Sequence, residues 1–160
     1  MNDYDRRSEA LWATIDEYDE DAFRAAVDEL VAELPSGSPI ASFERACAWD
    51  STGHSDRAIP LYRLALEQGL EGERRRRAVI QMSSSLRNMG EVEESARLLT
   101  AERDRGTDSL DDAVSAFLAL ALVDSGRERE AVSIGLGALA PHLPRYQRSL
   151  GNYARDLVAE

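Results

Sequence analysis

The sequence predicts an all-α protein built as an α-solenoid of antiparallel helix pairs. Three observations lead to this fold class. First, a helix-turn-helix pattern recurs around Gly53, Gly90 and Gly126, which lie 37 and 36 residues apart. Second, small and large residues recur at matching places after each glycine. Third, aromatic residues make up only 6% of the chain, so its core must be mainly aliphatic, as in helical packing. A period in the mid-thirties with two helices per unit is typical of helical solenoids.

The first copy of the pattern is the most regular, and it extends from Trp49 to Ala65. Gly53 suits the end of a helix because glycine enters the left-handed conformation without a Cβ penalty. Ala58, Tyr62 and Ala65 follow at i, i+4 and i+7, so they share one helix face. The two alanines allow antiparallel helices to approach closely, and the tyrosine is expected to fill the space between units.

The second and third copies keep the turn but vary the residues after it. The second has Ser95 and Leu99 where the first has alanine and tyrosine, and the third has Ala131 followed by Gly135. Gly135 and Gly137 lie inside a predicted helix, where each glycine costs about 1 kcal/mol relative to alanine. Two explanations remain open, namely sequence drift or close contact with another helix, which could belong to a second protomer.

These residues resemble the tetratricopeptide repeat. In that repeat an aromatic residue precedes the turn glycine, alanine lies five residues after it, an aromatic nine after and alanine twelve after. The resemblance covers roughly residues 39–141, and the run 141–150 is similar to the end of a small bacterial family of stand-alone tetratricopeptide proteins. It implies a right-handed solenoid that binds a protein or peptide and forms a homodimer.

The chain is predicted to form a single domain, residues 1–160, because no long linker divides it. The first helix pair is a degenerate unit, as terminal repeats often are. A last helix, starting at Pro144, carries Tyr146, Leu150, Tyr153 and Leu157 on one stripe and is expected to cap the third repeat. The predicted bounds are 3–35 for the degenerate pair, 39–69, 73–105 and 109–140 for the three repeats, and 144–158 for the capping helix.

Composition excludes several function classes. The net charge of −11 argues against binding to nucleic acid or to an anionic membrane. All 19 basic residues are arginine, which excludes a lysine nucleophile or a Walker-type lysine. The sequence has no run near the roughly 20 apolar residues of a membrane helix, no apolar signal segment at its start, and a single cysteine, Cys47. These features lead us to expect a cytoplasmic protein.

No motif indicates catalysis. The sequence has no nucleotide-binding glycine loop, no H-E-x-x-H, no C-x-x-C and no EF-hand loop. His54 and His142 lie in separate predicted turns, and Cys47 is expected to be a buried thiol. We therefore predict a protein that is not an enzyme and that uses no cofactor or metal.

The resemblance also predicts a binding groove, because the first helix of each tetratricopeptide pair lines the concave surface. Arg77 and Arg87 can each bind a carboxylate bidentately, which would suit an acidic partner. The equivalent residues of the third repeat are all apolar and are expected to be covered by another helix or by a dimer mate; they are Ala113, Ala116, Leu120 and Val123. The predicted groove residues are Phe43, Cys47, Asp50, Arg77, Ile80, Ser84 and Arg87.

Four consecutive arginines, residues 74–77, lie near the start of a predicted helix, where the helix dipole disfavours them. Either they pair within the chain, for example with Glu71, Glu73 or the preceding helix, or they form a cationic site for an acidic partner. The favoured function is therefore a protein-interaction scaffold that self-associates. The alternative is a sensor of a small molecule or peptide signal that regulates a separate effector. This alternative predicts a closed internal pocket.

Overall fold

The computed structural model describes residues 2–159, and within them all regular secondary structure is helical. The predicted all-α helical repeat is confirmed. The nine α-helices of these residues are α1 (Asp3–Trp12), α2 (Glu20–Val31), α3 (Pro39–Ser51), α4 (Ser55–Glu67), α5 (Gly72–Asn88), α6 (Val92–Arg105), α7 (Asp111–Asp124), α8 (Glu128–Leu139) and α9 (Gln147–Asp156).

The chain divides into two compact units, with the boundary between Ala78 and Val79 inside α5. Unit 1 contains α1 to α4 and the start of α5, and unit 2 contains the rest of α5 and α6 to α9. The assignment of the whole chain to one domain therefore stays a prediction.

In unit 1, α2 packs on α3 through an apolar face. The Asp19 side chain caps α2 by accepting a hydrogen bond from the Ala22 amide at 2.8 Å. Phe23, Val27 and Val31 follow at helical spacing and are fully buried. The ring of Trp12 lies 4.9 Å from that of Phe23 in an edge-to-face arrangement, so the tryptophan packs against this face.

In unit 2, the core lies between α5, α6, α7 and α8. Leu99 of α6 and Leu118 and Leu122 of α7 are buried in it. Residues 113–123 of α7 are nearly all apolar, but α7 buries only one of its faces in this core. Because a helix has 3.6 residues per turn, only one stripe of α7 can face this core. The opposite stripe is apolar but exposed.

The three turn glycines adopt one backbone geometry. Gly53, Gly90 and Gly126 have φ values of 80°, 86° and 75°. In each turn the residue after the glycine donates its amide to the carbonyl four residues before the glycine, a bond that satisfies an otherwise unpaired helix-end carbonyl. The accepting carbonyls belong to Trp49, Leu86 and Leu122, and the three distances are 2.9, 2.9 and 2.8 Å.

The last helix differs from its prediction in start and in coverage. Tyr146 adopts a left-handed conformation with φ of 70°, so α9 begins at Gln147 rather than at Pro144. Leu150 and Leu157 are half-buried, but Tyr146 and Tyr153 are 76% and 68% exposed. The expectation that the whole stripe is covered is therefore wrong for the two tyrosines.

Candidate functional site

The predicted groove residues of α3 lie mostly inside unit 1. Phe43 and Cys47 are buried, and Asp50 is half-buried. The Tyr62 hydroxyl donates a hydrogen bond to Asp50 Oδ2 at 3.1 Å and lies 3.7 Å from Cys47 Sγ. The aromatic residue of α4 thus reaches the side of α3 that was expected to face a ligand.

The environment of Cys47 does not favour a reactive thiol. Burial raises its pKa to about 12, since the thiolate would lose its hydration there. A nucleophilic cysteine needs its thiolate at neutral pH. The structure therefore agrees with the expectation of a buried structural thiol.

Arg77 is the groove residue of unit 1 that lies at the surface. Its guanidinium carbon lies 5.3 Å from the ring centroid of Phe43, within the range of a cation–π contact. The side chain is exposed, so its hydrogen-bond donors can reach a ligand in solvent.

The groove residues of unit 2 lie on α5 and differ in exposure. Ile80 is part of the buried core, whereas Ser84 and Arg87 are half-buried. Arg87 Nε donates to Asp124 Oδ2 of α7 at 2.5 Å. The arginine is therefore held by a carboxylate of the chain itself. As a set, the seven groove residues stay a prediction.

The arginine run contains a pairing that the sequence did not specify. Arg74 Nη2 donates to Asp5 Oδ1 of α1 at 2.5 Å, and its Nε lies 3.8 Å from Glu44 Oε1 of α3. Arg74 thus pairs within the chain, but with these two acids rather than with Glu71 or Glu73. Asp5 is 69 residues away in sequence, so no local pattern indicates the contact.

These side chains line a pocket of about 560 Å³ in unit 1. Trp12 Nε1 donates to Glu44 Oε2 at 2.8 Å, and Glu44 is only 5% exposed. The hydrogen bond from Arg74 holds the pKa of the Asp5 carboxyl below its usual value. The hydrogen bonds among these side chains stay within the chain, so the network joins α1, α3 and α5.

The exposed stripe of α7 is an apolar surface in unit 2. Ala116, Leu120 and Val123 lie at i, i+4 and i+7, and the two larger residues are 46% and 47% exposed. Their apolar character is visible in the sequence, and they were expected to be covered by another helix or by a dimer mate; no helix of the described residues covers them fully. The surface is therefore available to a second molecule.

Two further kinds of site are not found in the described part of the chain. No three His, Cys, Asp or Glu residues there are placed to hold a metal ion. None of the helices there is long and apolar enough to cross a membrane.

The turn geometry and helix pairing match the repeat that the sequence resembles, and a comparison with protein families decides the assignment. A family model described as tetratrico peptide repeat matches residues 39–157. The chain belongs to this family. The tetratricopeptide match begins at the start of α3, so α1 and α2 lie outside it. The bonds from Trp12 to Glu44 and from Arg74 to Asp5 join α1 to the repeat region.

Neither the curated proteins nor the solved structures contain a match to this tetratricopeptide protein. Tetratricopeptide repeats generally mediate protein–protein interaction, which supports a scaffold role. The nature of the partner has to be inferred from the surfaces themselves.

Proposed function

We propose that this tetratricopeptide protein is a non-catalytic scaffold that self-associates and binds a peptide or partner protein. The observation that carries the proposal is the exposed apolar stripe of α7, formed by Ala116, Leu120 and Val123. Burial of such a stripe releases water from apolar surface and favours association by about 25 cal/mol per Å². In a two-fold dimer the same stripe would be buried from both protomers, which doubles the effect of each residue.

The same proposal includes contacts between groove residues and a partner. These residues lie in both units, and each unit is described by itself. In unit 1, Arg77 presents an exposed guanidinium over Phe43. In unit 2, Arg87 and Ser84 are partly exposed, and a partner carboxylate would compete with Asp124 for Arg87. Both arginines would favour an acidic partner, because bidentate Arg–carboxylate bonds are charge-assisted.

Self-association is tested by light scattering over a concentration series. We expect the unchanged protein to show the mass of a dimer, and Leu120→Glu to show that of a monomer, because a carboxylate at a buried interface is unpaired. Val132→Glu is the matched control, since Val132 is a similarly exposed apolar residue on α8. The proposal fails if the unchanged protein is a monomer at every concentration, or if both variants dissociate equally.

A further inference from the structure

The C-terminal segment, residues 144–157, has a charge opposite to that of the rest of the chain. It contains Arg145, Arg148 and Arg155 but only one acid, Asp156, and so carries a net +2. Because the whole chain carries −11, the remaining residues carry −13. The segment is therefore a local cationic surface on an acidic protein, where it can attract a partner of opposite charge.

The two tyrosines of this segment lie on its outer side. The inner side of α9 is fixed to the rest of unit 2: Ala154 is buried, and the Leu157 carbonyl accepts a hydrogen bond from Arg129 Nε at 3.0 Å. Tyr146 and Tyr153 project away from that contact and are largely exposed. Tyrosine supplies a large contact area at a low entropy cost, which is why protein interfaces are enriched in it.

The arginines of this segment are not paired with acids of the described residues. Arg145 and Arg148 are exposed, and no carboxylate among residues 2–159 lies within 4.0 Å of either guanidinium. Arg97 and Arg103 of α6 differ in this respect, because they lie 3.9 Å from Glu94 and 3.8 Å from Asp104.

Arg145, Arg148 and Tyr146 line an open pocket of about 620 Å³, together with Asn152. The lining therefore brings together several kinds of hydrogen-bond donor, namely two guanidiniums, a phenol and a side-chain amide. Such a lining suits carboxylates, which only accept hydrogen bonds when ionised.

We propose that the outer face of α9 is a docking surface for a short acidic segment of a partner protein. Carboxylates of the segment bind Arg145 and Arg148, and an apolar side chain between them packs on the exposed tyrosines. A short segment is favoured over nucleic acid because a polyanion would extend beyond the patch and be repelled by the −13 of the remaining surface. This surface and its partner are distinct from the α7 stripe.

The test uses a fluorescein-labelled peptide of alternating glutamate and phenylalanine, titrated with the full-length protein and followed by fluorescence anisotropy. The double variant Arg145→Glu with Arg148→Glu should bind at least about tenfold more weakly, the effect of losing charge-assisted hydrogen bonds. The control is Arg97→Glu with Arg103→Glu, which makes the same change in net charge on α6. Its affinity should stay within about twofold of the unchanged protein.

A second variant tests the aromatic part of the surface. Tyr146→Ser with Tyr153→Ser should weaken peptide binding several-fold, while circular dichroism should show an unchanged helix content because both side chains are exposed. Leu120→Glu should leave peptide binding intact, so failure of the dimer proposal can be told apart from failure of this one.

Three results would overturn the inference. Equal losses of peptide affinity in the α9 and α6 variants would mean that binding depends only on the overall charge of the protein. Tighter binding of a single-stranded oligonucleotide with the peptide's charge would make the surface a nucleic-acid site. A change of molar mass caused by the α9 arginine variant would make its occupant a second copy of this chain.

Discussion

The first and third repeats share a turn but differ in what their first helix exposes. Around both turns the backbone hydrogen bonds agree within 0.1 Å. Yet α3 buries Phe43 and Cys47, whereas α7 leaves Leu120 and Val123 nearly half exposed. The backbone of the repeat therefore does not determine whether these positions of its first helix are buried or exposed.

The residue nine positions after the turn glycine accounts for much of the difference. In the first repeat it is Tyr62, which is fully buried and whose hydroxyl reaches Asp50 of α3. In the third repeat it is Gly135, which has no side chain to extend past α7. A large side chain at this position covers the first helix of its repeat and reduces the surface exposed to a partner. A glycine at this position leaves that surface exposed.

The largest expected effect comes from removing that filling residue. Tyr62→Ala should lower the free energy of unfolding by about 3–5 kcal/mol, since it leaves a cavity in a closed core. Urea unfolding followed by circular dichroism measures this. The control Tyr62→Phe keeps the ring and loses only the hydroxyl, with its contacts to Asp50 and Cys47, so its cost should be about 1 kcal/mol. A loss below 1 kcal/mol for the alanine variant would show that the tyrosine does not hold the first repeat together.

The next effect compares two leucines of α7 that are two residues apart. Leu118 is 1% exposed and Leu120 is 46% exposed. Leu118→Ala should cost about 3 kcal/mol of unfolding free energy, whereas Leu120→Ala should change it by less than about 0.5 kcal/mol. Both values are measured by urea unfolding at a protein concentration low enough to hold the protein as a monomer. Equal costs would mean that the outer stripe of α7 is covered in solution.

Much of the fold was predictable because its signals are local. A glycine with positive φ, followed by small residues at helical spacing, specifies a turn and a packed helix within about twelve residues. The first repeat is identified in this way from Trp49, Gly53, Ala58, Tyr62 and Ala65 together. The start of α3 at Pro39 was predictable for the same reason, because proline suits the first turn of a helix.

The surfaces were less predictable because their signals are long-range. Counting back from Gly53 gives the face of α3 on which Phe43 lies, but not that Tyr62 closes it. The partner of Arg74 is Asp5, in a helix outside the family match. The exposure of Tyr146 depends on a left-handed backbone at a tyrosine, which no composition signal indicates.

The smallest expected effect is an increase in the unfolding free energy, and it tests why the third repeat has Gly135 nine residues after its turn glycine. A Cβ added at Gly135 would lie 3.9 Å from Ala119 Cβ, an ordinary van der Waals contact, and φ there is not positive. Gly135→Ala should therefore raise the unfolding free energy by about 0.5–1 kcal/mol, because alanine restricts the unfolded chain and favours the helix. The contrasting variant is Gly126→Ala, which should lower it by about 1–2 kcal/mol because its φ is 75°.

The two explanations for Gly135 are separated by measuring both the unfolding free energy and the molar mass of the variant. A stabilised Gly135→Ala protein with unchanged molar mass would mean that the glycine is not needed for packing, so that sequence drift is sufficient to explain it. A stabilised fold that no longer self-associates would mean that the open position serves contact with a second protomer. Destabilisation would mean that α7 and α8 approach too closely for a methyl group, and the glycine would then be a packing requirement of the third repeat itself.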